Sequence, residues 1–126
     1  MGKTATFEDL EVWQKSRELR RDISSLVKTF PEEEKYKLTD QMTRASRSVT
    51  ANIAEGYGRF HFQENIQFCR QARGSLFEIL DHLTVALDEH YIKESGFNKI
   101  KQQIFEVIHM LNGYIKYLKG KKDAGD

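Results

Sequence analysis

Seven cationic side chains, Lys35, Lys37, Arg44, Arg47, Arg59, Arg70 and Arg73, lie between positions 35 and 73 against three acids, Asp40, Glu55 and Glu64. Guanidinium groups offer paired donors that match phosphate oxygens. Phe60, His61 and Phe62, placed among them, add ring faces on which unpaired bases can stack. Arg44, Arg47, Arg59, Arg70 and Arg73 are therefore the candidate nucleic-acid-binding residues, for RNA or DNA. Two plainer readings stay open beside this one: a solvated charged face, or arginines that bridge subunits.

Other chemistry finds less to work with. Glu106 and His109 have the spacing of half a carboxylate-bridged two-metal site, but such a site needs two Glu-x-x-His pairs and two further Glu, all pointing inward. No second pair exists, and His61, His82 and His90 are not at helical spacing from one another. Cys69 falls within an apolar seam, where a thiol is expected to pack rather than react. Ser46, Ser48 and Ser75 have no His–carboxylate arrangement near them. Gly56-Tyr57-Gly58 has neither the preceding strand nor the third glycine of a dinucleotide fingerprint. No catalytic residue, metal or cofactor is expected, and the chain is not expected to be an enzyme.

The elements that position these residues are helices. One proline in 126 residues, and an abundance of Leu, Lys, Glu, Gln and Arg, predict an all-α chain forming one domain over 1–126. The mean hydropathy is −0.64 and no run reaches the ~18 apolar residues of a membrane span. A lone cysteine and an opening Met-Gly-Lys-Thr-Ala-Thr without an apolar leader predict a cytoplasmic location. Net charge is only +1, yet it is uneven: residues 1–34 sum to −2, 35–73 to +4, 74–98 to −4 and 99–126 to +3. Any polyanion site is therefore expected on the second quarter or the tail.

Four helices are predicted, at about 7–30, 38–55, 62–90 and 96–119, with a frayed tail over 120–126. Thr6 is the expected cap of the first, Pro31 its stop, Gly56 the stop of the second and Ser95 the cap of the fourth. In the second helix Leu38, Met42, Ala45, Val49 and Ile53 form a narrow apolar stripe. Its far side carries Asp40, Thr43, Arg44, Arg47, Ala51, Ala54 and Glu55, either solvated or a second packing face. The third helix repeats Phe62, Ile66, Cys69, Arg73, Leu76, Leu80, Leu83, Leu87 and His90 as a heptad seam, with Phe68, Ala72, Phe77, Ile79, Thr84, Val85 and Ala86 widening it. More of its circumference is apolar than three companions can cover, which predicts self-association. Arg73 in that seam needs either a partner, for which Asn52 and Glu55 are the candidates in a structural polar link, or a place at the margin with its head in water. Helices with short connectors predict an antiparallel up-down-up-down four-helix bundle.

Several strings in this order carry a resemblance over about 7–119. They are Phe7-Glu8-Asp9-Leu10-Glu11-Val12-Trp13-Gln14, Phe30-Pro31, and Leu38-Thr39-Asp40-Gln41-Met42-Thr43-Arg44-Ala45. They continue with Ala51-Asn52-Ile53-Ala54-Glu55-Gly56-Tyr57-Gly58-Arg59, Ala72-Arg73-Gly74-Ser75-Leu76, and Met110-Leu111-Asn112-Gly113-Tyr114-Ile115. With these the chain resembles the bacterial 23S rRNA intervening sequence proteins, also called four-helix bundle proteins. The resemblance implies a ring-like homopentamer, relatives encoded within 23S rRNA genes, and similar bundles that serve diversity-generating retroelements as accessory proteins. It implies no biochemical activity. The partners it leaves open are a nucleic acid or another protein, the latter making the chain an interaction scaffold; no membrane is implied. Members commonly carry Pro where this chain has Thr50, which keeps the backbone donor that Pro would remove.

Overall fold

The computed structural model describes residues 5–125. Its helices are α1 Glu11–Val27, α2 Leu38–Tyr57, α3 Phe62–Asp88 and α4 Glu94–Asp123, with single 3₁₀ turns at Phe7–Asp9 and Glu32–Glu34 and no strand among the described residues. The opening residues 1–4 and the terminal Asp126 lie outside the described range. In this bundle α1 packs on α2, α2 on α3, α3 on α4, and α4 returns to α1.

The helix ends differ from expectation for local reasons. Thr6 does cap, its Oγ1 accepting from Glu8 N at 3.1 Å while Asp9 accepts from Thr6 N at 3.2 Å, but this reciprocal pair closes only the 3₁₀ turn. Leu10 is extended and α1 starts after it. The first helix ends at Val27; Phe30 is buried beyond it, ahead of Pro31. Gly56 does not stop α2, which continues to Tyr57, and Ser95 is not a cap, because α4 begins at Glu94. The tail expected to fray from 120 is helical as far as Asp123. Helix α2 passes through Thr50 without interruption.

The core is one continuous cluster in which Leu19, Ile23, Met42, Ile53, Leu76, Ile79, Leu83, Ile104 and Leu111 are nearly inaccessible to water. Fully burying each such side chain contributes ~1.5–3 kcal/mol. The buried stripe of α3 is Ile66, Cys69, Ala72, Leu76, Ile79, Leu83 and Ala86. This corrects the expected seam: Arg73, Leu80 and Leu87 sit half-buried beside it, and His90 lies beyond the helix, exposed. The reason is steric. Turning the smaller Ala72 and Ala86 inward lets α2 approach, and a Cβ atom at Gly56 would stand 2.7 Å from Asn65 Oδ1 and 2.9 Å from Phe68 Cβ. Gly56 is thus a contact point between α2 and α3.

The α3 terminus bends sharply. Tyr91 N donates to Ala86 O and His90 N to Leu87 O, a Schellman closure with His90 at φ 63° where glycine is usual. Tyr91 then lies against Phe30, ring centres 5.3 Å apart, and donates to Glu34 Oε2 at 2.8 Å, joining two connectors. That hydrogen bond, with burial adding to it, pushes the Tyr91 phenol up to about 12. Outside the core, Phe77 and Phe105 meet edge to face with centroids 6.2 Å apart, yet are 48% and 43% exposed. Val85 of α3 is also exposed, so apolar surface remains on the α3–α4 side.

Candidate nucleic-acid interface

The five arginines singled out by sequence do not converge. Arg44 is exposed, its Nε 3.0 Å from Asp40 Oδ2 one turn earlier. Arg59, just past α2, places Nη2 2.9 Å from Glu55 Oε2 and covers the Phe68 ring at 4.8 Å. Arg70 is exposed on α3. Arg73 is half-buried and donates from Nη1 to Asn112 Oδ1 of α4 at 2.7 Å. Phe60 is 90% exposed and meets His61 edge to face at 4.8 Å, whereas Phe62 packs partly against the core.

The expected link between Arg73 and Asn52 or Glu55 is therefore corrected. Asn52 Nδ2 donates back along its own helix to Ser48 O and Ser48 Oγ, at 2.9 and 3.0 Å, and Glu55 is taken by Arg59. Arg73 leaves α3 on the side facing α4, one position away from the buried Ala72, so its stem packs while its head reaches the bundle margin. The polar bridge between α2 and α3 is instead the Ser48–Ser75 hydroxyl pair at 2.9 Å.

Arg47 alone of the five joins a cluster, and its companions come from α1. Arg17, Arg20 and Arg21, spaced i, i+3 and i+4, share a helix face turned toward α2. Arg20 Nη1 donates to Thr50 Oγ1 at 2.9 Å, and Thr50, only 3% exposed, donates in turn to Arg47 O at 3.2 Å. Among the described residues no carboxylate lies within ion-pair distance of Arg17, Arg20, Arg21 or Arg47. Partial desolvation, and then the like charges of Arg17, Arg21 and Arg47, make the Arg20 proton less firmly held than usual. The net charge of −2 over the first quarter masks these arginines in the sequence; the Arg-x-x-Arg-Arg spacing is the signal that marks them.

A groove runs along this seam. One depression of about 160 Å³ is lined by Arg20, Arg21, Ser24, Thr43, Ser46 and Arg47. The next, about 280 Å³, shares Arg20 and Arg47 and is otherwise walled by Phe7, Trp13, Thr50, Ala51 and Ala54. Phe7 and Trp13 meet edge to face at 5.0 Å, and Arg17 lies 5.7 Å from the Trp13 ring centre. Such a groove can hold an anion by charge-assisted hydrogen bonds and a flat apolar group by contact.

Burial pushes the Cys69 thiol up to about 12, against a smaller opposing effect of Arg73, so almost no thiolate exists at neutral pH. Glu106 and His109 are exposed, unlike the buried Ile104, Val107, Ile108 and Leu111 of α4, and no group of three or more His, Cys, Asp or Glu among the described residues could hold a metal ion. No helix among the described residues is long and apolar enough to cross a membrane.

Comparison with known proteins agrees with this architecture. The 23S rRNA-intervening sequence protein family model matches residues 8–113. The bundle is similar to a crystal structure from Bacteroides thetaiotaomicron VPI-5482, a protein of unknown function from the S23 ribosomal protein family. The TM-score is 0.77 and identity 25%, over 83% of this chain and 95% of that one. No functionally curated protein matches. Since the family match runs from the first 3₁₀ turn into α4 and takes in the arginine groove, the chain belongs to the 23S rRNA-intervening sequence protein family.

Proposed function

We propose that the chain is a non-enzymatic, cytoplasmic accessory protein, an antiparallel up-down-up-down bundle that assembles as a homopentamer and associates with RNA or DNA through its basic surface. The observation that carries this reading is the gathering of Arg17, Arg20, Arg21 and Arg47 across the α1–α2 seam without a carboxylate partner among the described residues. Like charges held together raise the free energy of the isolated chain, and a phosphate backbone relieves that repulsion while releasing its own counterions. Arg44, Arg59, Arg70 and Arg73 serve as peripheral contacts in this reading. With no base-reading motif, affinity comes from the backbone and is steeply salt-dependent. Repetition around a ring multiplies a modest patch on a chain of net charge +1.

Support for the antiparallel order comes from contacts that run in opposite directions along neighbouring helices: Trp13 shares a depression with Ala54 and Ser24 shares one with Thr43, Gly56 lies against Asn65 while Ser48 meets Ser75, and Arg73 reaches Asn112 while Phe77 meets Phe105. Support for self-association comes from the exposed Phe77, Val85 and Phe105 on the α3–α4 side. Filter binding of structured RNA at several salt concentrations tests the nucleic-acid part. The expected result is an affinity that falls linearly on logarithmic axes as salt rises, and no binding at low salt would overturn it. Light scattering tests the assembly, which a stable 14.8 kDa particle at micromolar concentration would overturn.

The exposed Phe77–Phe105 pair also favours a second reading, in which that face docks a different protein and the chain is an interaction scaffold. A saturable, salt-insensitive protein partner, lost on Phe105→Ser while RNA binding is absent, would establish it.

A further inference from the structure

We propose that the α1–α2 groove seats one unpaired nucleotide, its phosphate on Arg20, Arg21 and Arg47 and its base in the adjoining depression walled by Phe7, Trp13, Ala51 and Ala54. This rests on the nucleic-acid reading above and narrows it to one site and one state of the strand.

Four observations lead there. First, the polar and apolar depressions are neighbours that share Arg20 and Arg47, so a ligand spanning them must carry an anion at one end and a flat apolar group at the other. A nucleotide has that build, and a bare anion fills only the smaller part. Second, Arg20 is held in place. Its Nη1 donates to Thr50 Oγ1, which is itself fixed by donating to the Arg47 carbonyl, and the remaining guanidinium donors are left for phosphate oxygens. Third, the Ser24 and Thr43 hydroxyls at the polar end make no side-chain hydrogen bond within the described residues, so they are available as donors. Fourth, no carboxylate among the described residues pairs with Arg20, Arg21 or Arg47, and those next to the apolar wall are engaged elsewhere: Glu55 by Arg59, Glu8 by the Thr6 hydroxyl and Asp9 by Thr6 N. A base paired inside a duplex keeps its faces stacked on its neighbours and cannot enter a groove between two helices, so the strand must be unpaired here.

Thr50 orients the arginine at the centre of the groove. A side chain without an acceptor at position 50, such as Val or Pro, has nothing to offer Arg20, so the seat depends on a polar residue there.

The test uses the full chain and the fluorescence of Trp13, its only tryptophan. Short oligouridylate, its deoxy counterpart, a duplex of equal length and inorganic phosphate are titrated separately. The expected result is saturable quenching by a single strand of either sugar, with duplex and inorganic phosphate at least about tenfold weaker. Arg20→Gln is expected to weaken single-strand binding about tenfold or more and Thr50→Val several-fold, with Lys93→Gln, exposed in the α3–α4 connector, changing it less than about twofold. Arg20→Lys keeps the charge and loses the fork, so it separates geometry from fold or charge; circular dichroism checks folding of each variant. Single strands that bind without changing Trp13, or Arg20→Gln and Arg20→Lys that bind as the parent does, would overturn the seat while leaving backbone association standing. Failure of every nucleic acid to bind at low salt would remove the broader reading as well.

Discussion

The two sides of α2 are built from the same run of small residues and serve opposite ends. Toward α3, Gly56 brings backbone against Asn65 and Phe68, and Ser48 bonds Ser75, so the space left by small side chains is filled by another helix. Toward α1, Ala51 and Ala54 border a depression that stays open, with Arg20 and Arg47 at its edge. A small residue in a helix thus says only that something large comes close. Whether that is a neighbouring backbone or a ligand depends on what the facing helix presents: α3 offers Ala72 and Asn65, whereas α1 offers arginines that repel one another and cannot close the gap.

This contrast predicts unequal costs for enlarging α2. The biggest falls on the α3 side. Gly56→Ala gains helix propensity of up to ~1 kcal/mol, but its methyl would need to enter space already occupied by Asn65 and Phe68. The expected net loss is about 1–3 kcal/mol, read from urea denaturation. A neutral or stabilised variant would show that the α2–α3 contact yields easily, and the contrast between the sides would fail.

Next is Thr50→Val, which keeps shape but removes a hydroxyl that both accepts from Arg20 and donates to Arg47 O. A loss of about 0.5–1.5 kcal/mol is expected by the same measurement. The Arg20 side-chain resonance should move toward that of a freely solvated arginine, and an unmoved resonance would mean that Thr50 does not orient it. Smaller again is Arg73→Met. Because Arg73 bonds only the exposed Asn112 and sits beside the buried seam, its replacement should cost less than about 1 kcal/mol and leave the particle size in light scattering unchanged.

The fold is legible in the sequence because amphipathic periodicity is a property of each segment alone: the α2 stripe of Leu38, Met42, Ala45, Val49 and Ile53 is buried as its spacing predicts. Choices between adjacent positions are not. Residues 72 and 73, 79 and 80, and 86 and 87 offer alternative stripes on α3, and only the approach of α2 decides among them. Apolar spacing carries α3 two residues past its true end at Asp88, because a left-handed His90 leaves no compositional mark. The interface is half legible. Arg47 stands out on α2, but its partners lie on α1 in a segment whose net charge is negative, and a sum over a segment cannot reveal which helix face the cations share. Asn52 and Glu55 escape sequence reading for a related reason: each finds a partner one turn away, Ser48 and Arg59, before any other helix can supply one.

The smallest structural effect carries the sharpest contrast with Gly56→Ala. Ala51 is exposed and borders the open depression, so Ala51→Leu adds volume where no atom must move. Its stability should stay within about 0.5 kcal/mol of the parent, as for an exposed site free of special constraints. Its affinity for single-stranded RNA should nevertheless fall several-fold, because the added isobutyl group occupies the wall offered to a base. Stability and binding then part company on one side of α2, whereas on the other any loss of binding by Gly56→Ala should track the loss of folded protein. If Ala51→Leu lost stability as Gly56→Ala does, the α1 side would be a packed interface and the space between the helices would have no room for a ligand.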